Sequence, residues 1–351
     1  WSDGEPFTAD DILFWYEDIY NNDELHPGQS PDLQIGGKDV VIEKVDQYTV
    51  RYVSPVANSL LVERLASALS DLGGPYFCGQ RGRGGYAPKH YLQQFHPKYV
   101  GQAEVDRMAA EARFEGWVPF FLHHNDWQLD TDLPVVAPWK VTVPANDPTS
   151  HVLERNPYSI WVDTEGNQLP YIGTLQHTPA ADTEVVALRA AAGEYDFQDL
   201  VFEVGKIPVL IENQERGGYR VHLGPQQIGI GIVVNLGYEE DPEIGELFRN
   251  VAFRRAISMG IDRDQINEAL LLGTGTPGSV APAPDNKFFP GDEWRTKWAT
   301  HDPAEANRLL DQIELTDRDD DGFRLLPSGQ DRIRLAFQST PSFADFPAMG
   351  E

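Results

Sequence analysis

The chain has 351 residues, 41% apolar and 11% aromatic, with 55 acidic against 28 basic residues and a formal charge of −27. That length and apolar content suit two domains with a sizeable core rather than a disordered chain, and the acidity opposes binding to nucleic acid or anionic membranes. A single cysteine, Cys78, excludes an intrachain disulfide and a multi-cysteine zinc site, and no run approaches the roughly 18 apolar residues of a membrane helix.

The chain opens on Trp1-Ser2-Asp3-Gly4-Glu5-Pro6-Phe7-Thr8-Ala9-Asp10-Asp11. Asp3-Gly4 is a turn dipeptide. Thr8 is placed to cap a helix, with Asp11 three residues on as in a capping box. Ile12, Trp15, Tyr16 and Ile19 recur at helical spacing, which predicts a helix over 9–20. Val40-Val41-Ile42 and Tyr48 to Val53 flank Asp46-Gln47 as a hairpin. Leu61, Leu65 and Leu69 place a helix in 58–69. Residues 70–85 are a glycine-rich loop holding Cys78 and one basic cluster, Arg81-Gly82-Arg83-Gly84-Gly85. Val105, Met108, Ala109 and Ala112 support a helix near 103–114.

Further along, Trp139-Lys140-Val141-Thr142-Val143 alternates like a strand, and His151 to Arg155 reads as another. An alanine-rich helix over 183–192 ends at Gly193, a usual residue just past a helix C-terminus. Residues 230–235 read as a buried strand. Asp241-Pro242 and Asp302-Pro303 each combine an N-cap with a proline at the first helical position. Helices follow over 242–259 and, capped by Asp262, over 263–271. Residues 333–337 read as a last strand.

Several of these segments carry a family resemblance. The opening run resembles the WSDG-x-PFTADD box of the family 5 extracellular solute-binding proteins. His151-Val152-Leu153-Glu154-Arg155-Asn156-Pro157-Tyr158 and Val162-Asp163-Thr164-Glu165-Gly166-Asn167-Gln168-Leu169-Pro170-Tyr171-Ile172 resemble its LERNPYYW and VDxxGNQLPYID elements. Phe253 to Arg263 is similar to its RxAIxxAIDR element, with Gly260 in place of the second alanine. Ala87 to Leu92, Gly193 to Phe197 and Asp302 to Leu310 resemble shorter pieces, in the family's order. The resemblance implies a two-lobed α/β periplasmic-binding-protein fold of the enlarged class, with residues 1–134 as the extra α+β subdomain of lobe one. Residues 135–223 would be part of the lobe-one core and 224–351 the first half of lobe two. It also implies a fragment, because family members have strands before the box and a long continuation after 337.

The sequence carries no recognisable enzyme signature. Asp317-Arg318-Asp319-Asp320-Asp321-Gly322 has the front of a calcium loop, but position twelve is Ser328 instead of glutamate, so it reads as an acidic hairpin turn. His123-His124, taken as strand neighbours, would point to opposite faces and not share an ion. There is no G-x-S-x-G, and Leu272-Gly273-Thr274-Gly275-Thr276 lacks the P-loop lysine. No cofactor, metal or turnover is expected. Trp127, Trp139, Tyr158 and Trp161 remain as ligand-covering aromatics, or as packing at the core and the interlobe hinge. By resemblance, Asn235 flanks the hinge. The function implied is capture of a peptide or oligosaccharide for an ABC permease and ATPase, by an extracytoplasmic monomer whose lobes close on the ligand. The alternatives are a secreted carbohydrate-active hydrolase and a non-transport receptor of the same fold.

Overall fold

The computed structural model describes residues 1–28, 33–67, 84–199, 204–224, 231–284 and 286–338. Cys78, the Arg81-Gly82-Arg83 run and the start of the 230–235 segment lie outside these residues. The chain divides into two compact units, Trp1–Pro179 and Ala180–Glu351.

In the first unit α1 (Ala9–Phe14) starts on the expected capping box. Thr8 accepts from Asp10 N, and Asp11 accepts from Thr8 N at 2.8 Å. The helix then widens into a π-helical turn, Trp15–Tyr20, instead of continuing as α. Two small antiparallel pairs follow: β1 (Gln34–Ile35) with β2 (Lys38–Asp39), and β3 (Val41–Asp46) with β4 (Thr49–Val53) in the expected hairpin, whose register shifts near its turn. Short helices α2 (Leu61–Leu65), α3 (Lys89–Leu92) and α4 (Pro97–Val100) lead to α5 (Gln102–Glu111) and α6 (Trp117–His124). Phe14, Trp15, Ile19, Leu33, Val40, Leu92, Val105 and Phe121 fill one apolar core between them. Burying such side chains is the main favourable term, at about 25 cal/mol per Å². The unit is completed by an antiparallel three-stranded sheet, β5 (Trp139–Val143), β6 (His151–Arg155) and β7 (Thr174–His177), with β6 in the middle.

His123 and His124 sit in the last turn of α6, not on a strand. The apolar spacing of Trp117, Phe120 and Phe121 against the core decides this. His124 stacks on Phe95, 3.7 Å between ring centres, and bonds Asp130 at 2.6 Å. It is a structural residue.

The second unit is helical in its described residues: α7 (Thr183–Ala192), α8 (Ile207–Gly217), α9 (Pro242–Arg249), α10 (Val251–Gly260), α11 (Arg263–Leu270), α12 (Asp292–Thr296) and α13 (Pro303–Gln312). Asp182, Asp241, Asp262 and Asp302 cap their helices by accepting backbone N–H groups. The single helix expected over 242–259 is two. Asn250 has extended backbone and caps α10 by accepting from Ala252 N and Phe253 N, an alternative that a short polar side chain offers the chain. Ala256 and Met259 of α10 pack on Ala306 and Leu309 of α13. Neither 231–235 nor 333–337 forms a strand. Val233 is exposed, and the nearest pairing to the last segment is the isolated bridge Leu325–Arg332. A strand forms only where a neighbour takes its backbone hydrogen bonds along its length; Ile333 N donates to Arg324 O at 3.0 Å, but among the described residues no ladder extends from that bond. The acidic turn is a hairpin. Asp319 accepts from Phe323 N and Asp321 N, and Arg332 pairs with both Asp319 and Asp321.

Candidate ligand-binding site

The first unit holds an apolar cavity of about 200 Å³. Its floor is the segment Leu133-Pro134-Val135-Val136-Ala137, which leads into β5. Trp1, Tyr86, Trp127 and Trp139 form its aromatic walls, and Asn125 is a polar lining group. Trp1, Tyr86 and Trp139 are fixed locally. Trp1 donates its indole N–H to the buried Asp11 at 3.2 Å and meets Tyr86 edge-on. Asp11 also accepts from Lys89 N, so one carboxylate ties the opening box, α1 and α3 together. The indole of Trp139 donates to Ile172 O at 3.2 Å.

The floor is clasped by Asn156, which is fully buried at the end of β6. Its side-chain amide donates to Val135 O at 3.2 Å and to Ala137 O at 2.9 Å. Its carbonyl accepts from Tyr158 N at 2.8 Å. Its own backbone N–H donates to Pro138 O. Just before this segment in the chain, Asp130 accepts from Tyr91, His124 and Asp132 N. Burial works against its charge, but the bonds from His124 and Tyr91 outweigh that and hold its carboxyl below the ordinary range. Burial and the same carboxylate raise the Tyr91 hydroxyl well above its usual value.

Residues 158–172 form a loop linked to the cavity through Trp139. Asp163 accepts from Glu165 N, Asn167 N, Asn167 Nδ2 and the Tyr171 hydroxyl. Gln168 donates to Pro157 O and Ser159 O, and Leu169 N donates to Trp161 O. The loop is thus held by its own hydrogen bonds while its large side chains face outward: Tyr158 is 57% exposed, Trp161 61% and Tyr171 67%.

Trp127 and Trp139 therefore meet at the cavity. Tyr158 stands beside it, its hydroxyl close enough to Gly4 that a Cβ there would lie 3.0 Å away. Trp161 projects from the adjoining loop. Asn235 belongs to the second unit, where its side chain accepts from Gly237 N at 3.0 Å in a turn. The sequence alone does not single out Trp1, Tyr86 or Asn156. The N-P-Y signal at 156–158 was the available cue for Asn156, since asparagine there bonds the backbone two residues on.

An apolar cavity of about 150 Å³ takes a benzene-sized group, so this one admits a single ring or side chain, and the exposed aromatics extend its reach. The sequence model of "Bacterial extracellular solute-binding proteins, family 5 Middle" matches residues 1–348, and the chain belongs to that family.

The chain is 30% identical over 344 residues to a periplasmic alpha-galactoside-binding protein of Rhizobium meliloti, an alignment covering 94% of the chain and 44% of that protein. A solved oligopeptide-binding protein OppA is 34% identical, with a TM-score of 0.61 over 94% of this chain and 50% of the other. The periplasmic binding protein MelB of Agrobacterium fabrum, solved with stachyose, is 26% identical with a TM-score of 0.67, covering 95% of this chain and 47% of that one. The chain spans about half the length of the curated relatives it matches. Among the described residues no helix is long and apolar enough to cross a membrane.

Proposed function

We propose that this chain is the ligand-capturing part of an extracytoplasmic substrate-binding protein that serves an ABC importer, and that it takes an oligosaccharide of the α-galactoside kind. The observation that carries the reading is the ring-sized cavity walled by Trp1, Tyr86, Trp127 and Trp139, with Tyr158 and Trp161 beside it. Aromatic faces offer rigid apolar area at low entropic cost, and Asn125 supplies hydrogen bonding. The α-galactoside-binding and stachyose-bound relatives support the sugar reading; the relative named for oligopeptides supports a peptide as the second reading. In this reading residues 1–134 and 135–223 belong to lobe one and 224–351 to lobe two. Asn235 is a ligand-binding residue of lobe two, and lobe closure selects the liganded state. The protein acts as a monomer that hands ligand to a membrane permease and ATPase, and it releases the ligand chemically unchanged.

The test titrates stachyose and a pentapeptide separately against tryptophan emission, then recovers the sugar for chromatography. Saturable stachyose binding with intact sugar is expected. Binding of the peptide alone would move the assignment to the second reading. No binding of either at millimolar concentration, or cleavage of the sugar, would refute the proposal.

A further inference from the structure

Strands β6 and β7 pair in a register that sets His151 directly opposite His177. Their ring centres are 5.4 Å apart, with the planes inclined at 49°. Two imidazole nitrogens on one tetrahedral zinc, each at about 2.0 Å, put the ring centres roughly 5 Å apart. The strands therefore already hold the two rings at the spacing of a shared ion.

A second observation fixes which nitrogen is available. His151 Nδ1 lies 2.9 Å from Val143 O on β5. A carbonyl can only accept, so Nδ1 carries the hydrogen and Nε2 keeps the lone pair. Ligating histidines show this arrangement, in which the far nitrogen donates to a backbone carbonyl that orients the ring. His177 stands across from it on the exposed edge strand of the three-stranded sheet, open to an ion from solvent. Two imidazoles on a rigid ladder need little ordering to bind. Two protein donors alone leave the other positions to solvent, and among the described residues no group of three or more His, Cys, Asp or Glu is arranged for a metal.

We propose that His151 and His177 form a two-histidine site for a divalent first-row transition metal ion. Imidazole suits Zn²⁺, Ni²⁺ and Cu²⁺, with Cu²⁺ bound most tightly. Neither residue lines the aromatic cavity, so the site is independent of the solute reading.

The test is calorimetric titration with ZnCl₂, accompanied by NMR of the protein labelled with ¹⁵N in its histidine rings. One equivalent should bind, with the His151 and His177 ring signals shifting together. His151→Gln and His177→Gln should each lower affinity at least about tenfold, and the loss in the double variant should be smaller than the sum of the two single losses, as for partners on one ion. Because His177 lies on the surface, His177→Gln should keep the fold, checked by circular dichroism. Unchanged affinity in both single variants, additive losses in the double variant, shifts confined to other histidines, or no zinc binding below about 1 mM would each overturn the proposal.

Discussion

Replacing Asn156 with alanine removes the clasp under the cavity. Three side-chain hydrogen bonds are lost, to Val135 O, Ala137 O and Tyr158 N. Val135 O keeps a donor in Ser2 N at 2.9 Å, so its loss counts for little. Ala137 O and Tyr158 N lose the side-chain partner seen here at part-buried positions, where a lost hydrogen bond costs about 0.5–1.5 kcal/mol. The expected destabilisation of Asn156→Ala is therefore about 1–3 kcal/mol, a sizeable part of a domain's margin of roughly 5–15 kcal/mol. Urea unfolding followed by tryptophan emission measures it. The signal reports mainly on the first unit, which holds every tryptophan except Trp294 and Trp298. Asn156→Asp gives a second handle. It keeps the acceptor for Tyr158 N but sets a carboxylate against two carbonyls, so its folded pKa should rise. The variant should then be most stable at low pH and lose stability as pH increases. Asn235→Ala, which loses one bond in an exposed turn, is the control and should cost less than about 1 kcal/mol. A shift below about 1 kcal/mol for Asn156→Ala, or equal shifts for the two alanine variants, would sink the argument that Asn156 holds the floor.

Asp130 has a depressed carboxyl in the folded state, so the stability it contributes is present above the unfolded value of about 3.9 and is lost as pH falls through the lower folded value. Asp130→Asn should flatten that acid limb in unfolding curves taken from pH 5 to 2; an unchanged slope would contradict it. Gly193 ends α7 at φ +78°, and a Cβ there would lie 2.1 Å from Gly217 O. Gly218 ends α8 at φ +69° with open space around it. Gly193→Ala should thus cost clearly more than Gly218→Ala, whose penalty is about 1–2 kcal/mol of left-handed strain; thermal unfolding of both decides, and equal losses would remove the clash argument. If the cavity takes the sugar, Trp127→Phe and Trp139→Phe should each weaken stachyose binding about tenfold, about 1.4 kcal/mol, while thermal unfolding shifts by a few degrees at most. Binding unchanged in both would place the ligand elsewhere.

Local chemistry made much of the helical framework readable in the sequence. Thr8 with Asp11, Asp241-Pro242, Asp262 and Asp302-Pro303 satisfy the first N–H groups of their helices from within a few residues, so their positions needed no knowledge of the fold. The hairpin around Asp46-Gln47 and the end of α7 at Gly193 are local in the same sense. The motif order also carried the family, because turn and cap residues at fixed offsets survive as text. Other features depended on distant partners. Asn250 caps or continues a helix according to how α9 and α10 each pack. His124 is structural because Phe95 and Asp130 stand beside it. Residues 231–235 have strand-like composition, yet composition cannot supply the neighbour that a ladder requires. The cavity is the clearest case. Its walls come from positions 1, 86, 127 and 139, and its floor is held by Asn156. Sequence named the two tryptophans nearest β5, while only the tertiary fold could bring Trp1 and Tyr86 to them, because burial of aromatic area rewards contacts whatever their separation along the chain.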